Sequence, residues 1–195
     1  MVTEYKYLGI LFKNTEILKC ASGNLDRARK AYYSLKSKIP ESDTFSVKTW
    51  LKLYKSMILP ILTYGSEVWL ADYNLNFDKL DRLPFEKTQN MIFKNILGVH
   101  NKASNFALYT ELGSYTVCFM SLLLMFRYYR RLLKIESENK EVNSLLRSAF
   151  IDKSLQKSWN KIMLNMKQKM NISSLDISNT EFSIQVRHFF LKQTD

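Results

Sequence analysis

The chain has 195 residues, 46% of them hydrophobic and 13% aromatic; that is the size of one domain, or one domain with a small appendage, and it excludes a disordered chain. The formal net charge of +11, from 29 Lys and Arg against 18 Asp and Glu, speaks to partners and not to fold: nucleic acid first, an anionic membrane surface second. Five glycines and three prolines are few where average usage predicts about a dozen and about ten, so long helices are favoured over many short strands.

EYKYLGILF, residues 4–12, reads as a strand or edge hairpin, with Tyr5, Tyr7, Gly9 and Leu11 on one parity and Leu8, Ile10 and Phe12 on the other. KNTEILK follows, with Asn14 and Thr15 as turn formers, and is expected to return as a second strand. A helix then opens with Asn24 as N-cap, carries Leu25, Ala28, Tyr32, Leu35 and Ile39 on one stripe, and stops at Pro40. The next helix has capping candidates at Ser42, Asp43, Thr44 and Ser46 and an apolar face of Val47, Trp50, Leu51, Tyr54 and Ile58. Pro60 interrupts it, and ILTYGSEVWL resumes it.

Residues 77–97 form a further helix with Phe85, Thr88, Ile92, Phe93 and Ile96 on its stripe, Pro84 near its start and Gly98 as C-cap. SNFALYTELG is a short helix closed by Gly113, and the most apolar helix begins at TVCFMSLLLMF, a run too short to span a bilayer. Helical patterns continue at 141–150 and 153–170, where Met163, Met166 and Met170 form a stripe for core packing or a partner groove, and near 180–192. The expected fold class is mainly α, a helical bundle with a short N-terminal strand or hairpin. Its expected parts are 1–20 (hairpin), 21–135 (bundle) and 136–195 (helical extension).

Cys20 and Cys118 lie far apart without metal-ligand spacing, which points weakly to an intracellular setting and leaves nuclear and cytoplasmic unresolved. No secretory leader is visible in residues 1–20. No Asp-Asp or Asp-x-Asp pair occurs, no Gly-rich phosphate loop, and His100 and His188 stand alone in structural or surface roles. No catalytic residue and no metal ligand is therefore assigned.

Two basic constellations remain. Arg127, Arg130, Arg131 and Lys134 fall at i, i+3, i+4 and i+7 on one helical face. This is either a solvated face that complements the helix dipole or a ridge that contacts phosphates. Arg27, Arg29 and Lys30, with Lys36 and Lys38 downstream and Tyr32 and Tyr33 interleaved, admit the same pair of readings. In PILTYGSEVW, Pro60, Gly65, Glu67 and Trp69 are structural: a helix interruption, a close approach, a carboxylate holding a helix end or a basic residue, and an anchor.

YKYLGILF, RARKAYYSL, PILTYGSEVW, FKNILGV and ALYTELG, in that order, resemble the segment that follows the polymerase core in LINE-type (non-LTR) retrotransposon reverse transcriptases. The resemblance covers residues 4 to about 134; YGSEVW with a downstream ELG is its more specific part. LPFEKTQNMIF departs from the plainer apolar–basic pattern of the family. The resemblance implies that Tyr7, Leu8 and Gly9 match a hairpin beside the primer terminus. It also implies that the helix bearing Arg27, Arg29 and Lys30 matches the first helix of the thumb, which grips template–primer duplex. The family's catalytic carboxylates lie upstream of its YLG hairpin, so this chain is expected to be an inactive carboxy-terminal fragment that needs no cofactor itself; Mg²⁺ belongs to the intact polymerase. Expected partners are an RNA/DNA duplex and a separate palm and fingers portion, not a membrane. An unpaired strand edge at residues 4–12 adds a tendency to self-associate. The alternative is a helical scaffold for a protein partner.

Overall fold

A computed structural model of the protein describes residues 4–7, 10–13, 18–39, 45–70 and 83–138, with Leu164, Gln168 and Ile184 as isolated positions. Side chains are described over 22–39, 45–70 except Val68, and 83–131. The expected helices beyond residue 138, with Met163, Met166 and Met170, lie outside the described residues. So do Leu8, Gly9, Ser42, Asp43, Thr44 and residues 77–82. The chain divides into two compact units. The described residues up to Gly65 and from 83 to 120 belong to the first, and 66–70 and 121–138 to the second.

The first unit opens with an antiparallel hairpin, β1 (Glu4–Tyr7) and β2 (Ile10–Lys13), whose register pairs Glu4 with Lys13 and Tyr7 with Ile10. The two strands thus span EYKYLGILF and Lys13. Of KNTEILK, expected to return as a second strand, Lys13 ends β2, residues 14–17 lie outside the described residues, and Leu18 and Lys19 open helix α1 (Leu18–Lys38). The reason is periodicity. Leu18 and Ala21 extend the Leu25–Ala28–Tyr32 stripe backwards at the same 3.6-residue spacing, and that outweighs a four-residue strand with no further partner. Asn24 therefore lies inside α1 and caps nothing. It is buried, and its Nδ2 donates to the Tyr64 carbonyl at 2.8 Å.

Ser46 caps α2 (Val47–Leu53): its hydroxyl accepts from the Thr49 N–H at 3.2 Å. Val47, expected on the apolar face, is exposed, whereas Tyr54 and Ile58 are fully buried. Pro60 has no N–H to give the Ser56 carbonyl, and its ring crowds that oxygen. The chain responds with a π-helical turn, Tyr54–Ile58, in which the Leu59 N–H reaches back to the Tyr54 carbonyl. Helix α3 (Leu59–Thr63) then carries Pro60 in its first turn. Pro60 is thus absorbed by one widened turn, and Tyr54, Ile58 and Leu62 all stay buried.

Tyr64 and Gly65 form a turn with Gly65 at φ 68°, a left-handed value that accounts for the glycine. Leu83 is extended before Pro84, which occupies the first turn of α5 (Pro84–Leu97). Gly98 (φ 65°) ends α5 and Gly113 (φ 51°) ends α6 (Asn105–Leu112), both as left-handed C-caps. The Val99 N–H closes onto Lys94 O at 3.1 Å, and that of Ser114 onto Tyr109 O at 3.2 Å.

Helix α5 is central to the first unit: α1, α2 and α6 all pack on it, and α1 also packs on β2, the π-turn and α3. Phe85, Ile92 and Phe93 of α5 are almost fully buried; each contributes on the order of 1.5–3 kcal/mol relative to an exposed position. Phe93 meets Tyr54 edge-on at 4.9 Å and Tyr109 at 5.9 Å, which ties three elements together. Among the described residues the second unit holds α4 (Ser66–Trp69) and the body of α7 (Val117–Glu138), whose first turn belongs to the first unit. Trp69, Leu70, Leu122, Met125 and Phe126 are buried there. No single helix among the described residues is long and apolar enough to cross a membrane.

Candidate nucleic-acid interface

On α1 the buried stripe of Leu25, Ala28 and Tyr32 fixes which side chains reach solvent. Arg27, Arg29, Lys30, Lys36 and Lys38 are all exposed. Arg27 and Lys30, three residues apart, share one face. Arg29 leans the other way, and its Nη2 donates to the Thr88 hydroxyl of α5 at 3.2 Å. The two interleaved tyrosines part company. Tyr32 is core, its phenol pushed above the ordinary value by burial, and it packs against Trp50 at 6.5 Å. Tyr33 is 52% exposed beside α5, with its hydroxyl 3.7 Å from the Met91 sulfur, so it alone offers a ring to a stacked base.

The second constellation lies on α7 in the second unit. Arg127 and Arg131 are exposed and Arg130 is half-buried. The side chain of Lys134, like those of Tyr7 and Gly9, lies outside the described residues. Tyr128 links this face to PILTYGSEVW: its phenol is raised by burial first and by the Glu67 carboxylate second, with Arg131 opposing. Glu67 sits in the first turn of α4, where a negative charge complements the helix dipole. Trp69 is buried, as an anchor must be.

Two features escape a reading of the sequence. The first is a row of lysines, Lys48, Lys52 and Lys55, all exposed along α2 and the π-turn. Their i, i+4, i+7 spacing is the signal that finds them. The second is a buried polar cluster on α5, where Glu86, Thr88, Gln89 and Asn90 are each at most 6% exposed. Glu86 Oε1 accepts from the Cys118 N–H at 2.6 Å, and Gln89 Oε1 accepts from the Val117 N–H at 2.9 Å. Gln89 Nε2 donates to the Tyr115 carbonyl at 2.9 Å. The Tyr109 hydroxyl lies 2.6 Å from Asn90 Oδ1 and 3.2 Å from Glu86 Oε2.

The cluster is a helix cap supplied from a neighbouring helix. The first N–H groups of α7 have no partner within that helix, and a carboxylate beside them also complements the dipole. It lies in LPFEKTQN, where the sequence departs from the plainer pattern, so that departure is its only trace. Its groups do not form a nucleophilic site. Burial, with the Glu86 charge second, raises the Cys118 thiol well above its ordinary value. The same two causes raise Tyr54 and Tyr109. The Tyr54 hydroxyl lies near enough to Gln89 to feel it but not in hydrogen-bonding geometry. His100 accepts from the Lys102 N–H through Nδ1 at 3.2 Å, a loop-shaping role. Among the described residues no group of three or more His, Cys, Asp or Glu is placed to hold a metal ion.

No protein-family model, no curated protein and no solved structure matches the chain.

Proposed function

We propose that the chain is the thumb and connection portion of a LINE-type reverse transcriptase, and that its own activity is to bind a template–primer RNA/DNA duplex. The observation that carries this reading is the charge on the surface of the first unit. Among described side chains 22–39, 45–65 and 83–120 the carboxylates are Asp26, Glu86 and Glu111, and Glu86 is buried. Against them stand Arg27, Arg29, Lys30, Lys36 and Lys38 on α1 alone, all exposed. Such a surface attracts phosphate backbones whatever the base sequence. Tyr33 beside Arg29 adds a stacking face, and Arg127 and Arg131 supply exposed cations on α7.

Fluorescence anisotropy with a short labelled RNA/DNA hybrid tests the reading. Binding is expected at 50 mM salt and weakens steeply towards 200 mM. Absence of binding at low salt, or affinity indifferent to salt, overturns it. Primer extension on an RNA template with Mg²⁺ is expected to give no incorporation, because the sequence has no Asp-Asp or Asp-x-Asp pair.

A second reading, a scaffold for a protein partner, is favoured by exposed Phe106 and Met57, at 56% and 50%. Pull-down from lysate with and without nuclease separates the two, since partners that survive nuclease favour the scaffold.

A further inference from the structure

Lys48, Lys52 and Lys55 project from consecutive turns of α2 and the π-turn, and all three are exposed. At about 100° per residue they fall within a sector of about 60° on one face. Residues 45–65 contain no carboxylate. No described residue makes an ion pair or hydrogen bond with any of the three side chains. Like charges at i, i+4 repel and work against the helix that carries them. Lys48 also lies in the first turn of α2, where no acidic residue accompanies it and the dipole disfavours a cation. Neither pairing among the described residues nor dipole compensation accounts for the row.

An external polyanion does. Seven residues of helix advance about 10 Å, and a strand of duplex presents one phosphate about every 3.4 Å along its axis. The row therefore spans about three successive phosphates. Long, flexible ammonium side chains suit such a contact, because each acts as a point charge without demanding bidentate geometry.

We propose that Lys48, Lys52 and Lys55 form a phosphate-binding ridge for the backbone of an RNA/DNA duplex, separate from the arginine-bearing face of α1. The inference rests on duplex binding as the function and adds the lysine row as its contact.

The test compares the full chain with K48Q/K52Q/K55Q and with R27Q/K30Q, each titrated with the labelled hybrid from 50 to 200 mM salt. Each phosphate contact contributes about 0.9 to the slope of log K against log salt. The lysine triple variant is expected to bind more weakly at 50 mM and to show a slope shallower by about two to three. Its helical circular dichroism is expected to match that of the parent chain, because three mutually repelling, exposed charges have been removed. A parent chain that binds, with an unchanged slope in the triple variant, overturns the ridge and leaves duplex binding by α1 intact; R27Q/K30Q then carries the loss. A parent chain that does not bind the hybrid overturns both. A third arm replaces the hybrid with phosphatidylcholine vesicles containing phosphatidylserine. Lysine-dependent binding to vesicles with no lysine-dependent binding to the hybrid also overturns the ridge.

Discussion

The buried carboxylate of Glu86 on α5 accepts a 2.6 Å hydrogen bond from the backbone N–H of Cys118, in the first turn of α7. Three residues on, Gln89 takes the Val117 N–H in the same way. The Thr116 hydroxyl accepts from the Phe119 N–H at 3.1 Å, so three successive orphan donors of α7 are satisfied. Two of those acceptors come from another helix, which makes the entry of α7 a tertiary feature.

Replacing Glu86 should therefore cost more than a surface cap. Glu86→Ala leaves a buried N–H without its partner and deprives Tyr109 of an acceptor, and is expected to destabilise the chain by about 2–3 kcal/mol. Glu86→Gln keeps one acceptor oxygen and should cost less. Gln89→Ala should cost about 1–3 kcal/mol by the same argument. The double variant should fall short of the sum, because both residues hold one helix end. Urea unfolding followed by circular dichroism measures all four.

Stability should fall in alkali. Tyr54 and Tyr109 are raised above 10.0 and Cys118 above 9.0, burial being the first cause for each. Below about pH 8 these groups are almost wholly protonated in both folded and unfolded chains and contribute little pH dependence. Above it the unfolded chain releases protons that the folded chain retains, so the unfolded state gains and stability drops. Thermal melts between pH 8 and pH 11 should show a falling Tm, and Tyr109→Phe should flatten the steepest part above pH 10. In a Cys20→Ser background the Cys118 thiol should react with a thiol reagent only once denaturant is added.

Asn24 discriminates between a cap and a buried donor. As an N-cap, Asn and Asp are nearly equivalent. Inside α1 the amide donates to the Tyr64 carbonyl at 2.8 Å, and an aspartate there sets a carboxylate against a carbonyl oxygen. Asn24→Asp is expected to cost about 2–3 kcal/mol, an unpaired buried charge being the larger part, and Asn24→Ala about 1–2 kcal/mol. Equal stability of Asn24→Asp and the parent chain in urea unfolding would contradict this geometry.

Gly98 tests backbone conformation alone. A Cβ there meets nothing within 4 Å, so the cost of a side chain comes from φ 65° and not from packing. Gly98→Ala should cost about 1 kcal/mol, and Gly98→Asn less, since Asn tolerates the left-handed region. A larger loss for Asn than for Ala would point to crowding instead.

The sequence by itself determined the local features. Gly98 and Gly113 end their helices where the apolar periodicity stops, the cap of α2 falls among the candidates Ser42, Asp43, Thr44 and Ser46, Pro60 disturbs its helix, and the stripe of Leu25, Ala28 and Tyr32 faces inward. Each depends on residues within about one turn, where steric and hydrogen-bonding rules act without knowledge of the rest of the chain. The helical class and the exposed cations of α1 follow from the same local rules.

Only the tertiary structure decided what depends on partners distant in sequence. Asn24 is a cap by composition and a buried donor by virtue of Tyr64, forty residues away. Glu86, Gln89 and Asn90 read as a polar helix face, yet they are buried because α6 and the start of α7 bring donors to them. Burying a carboxylate is tolerable only where such donors converge, and one-dimensional periodicity carries no record of that convergence.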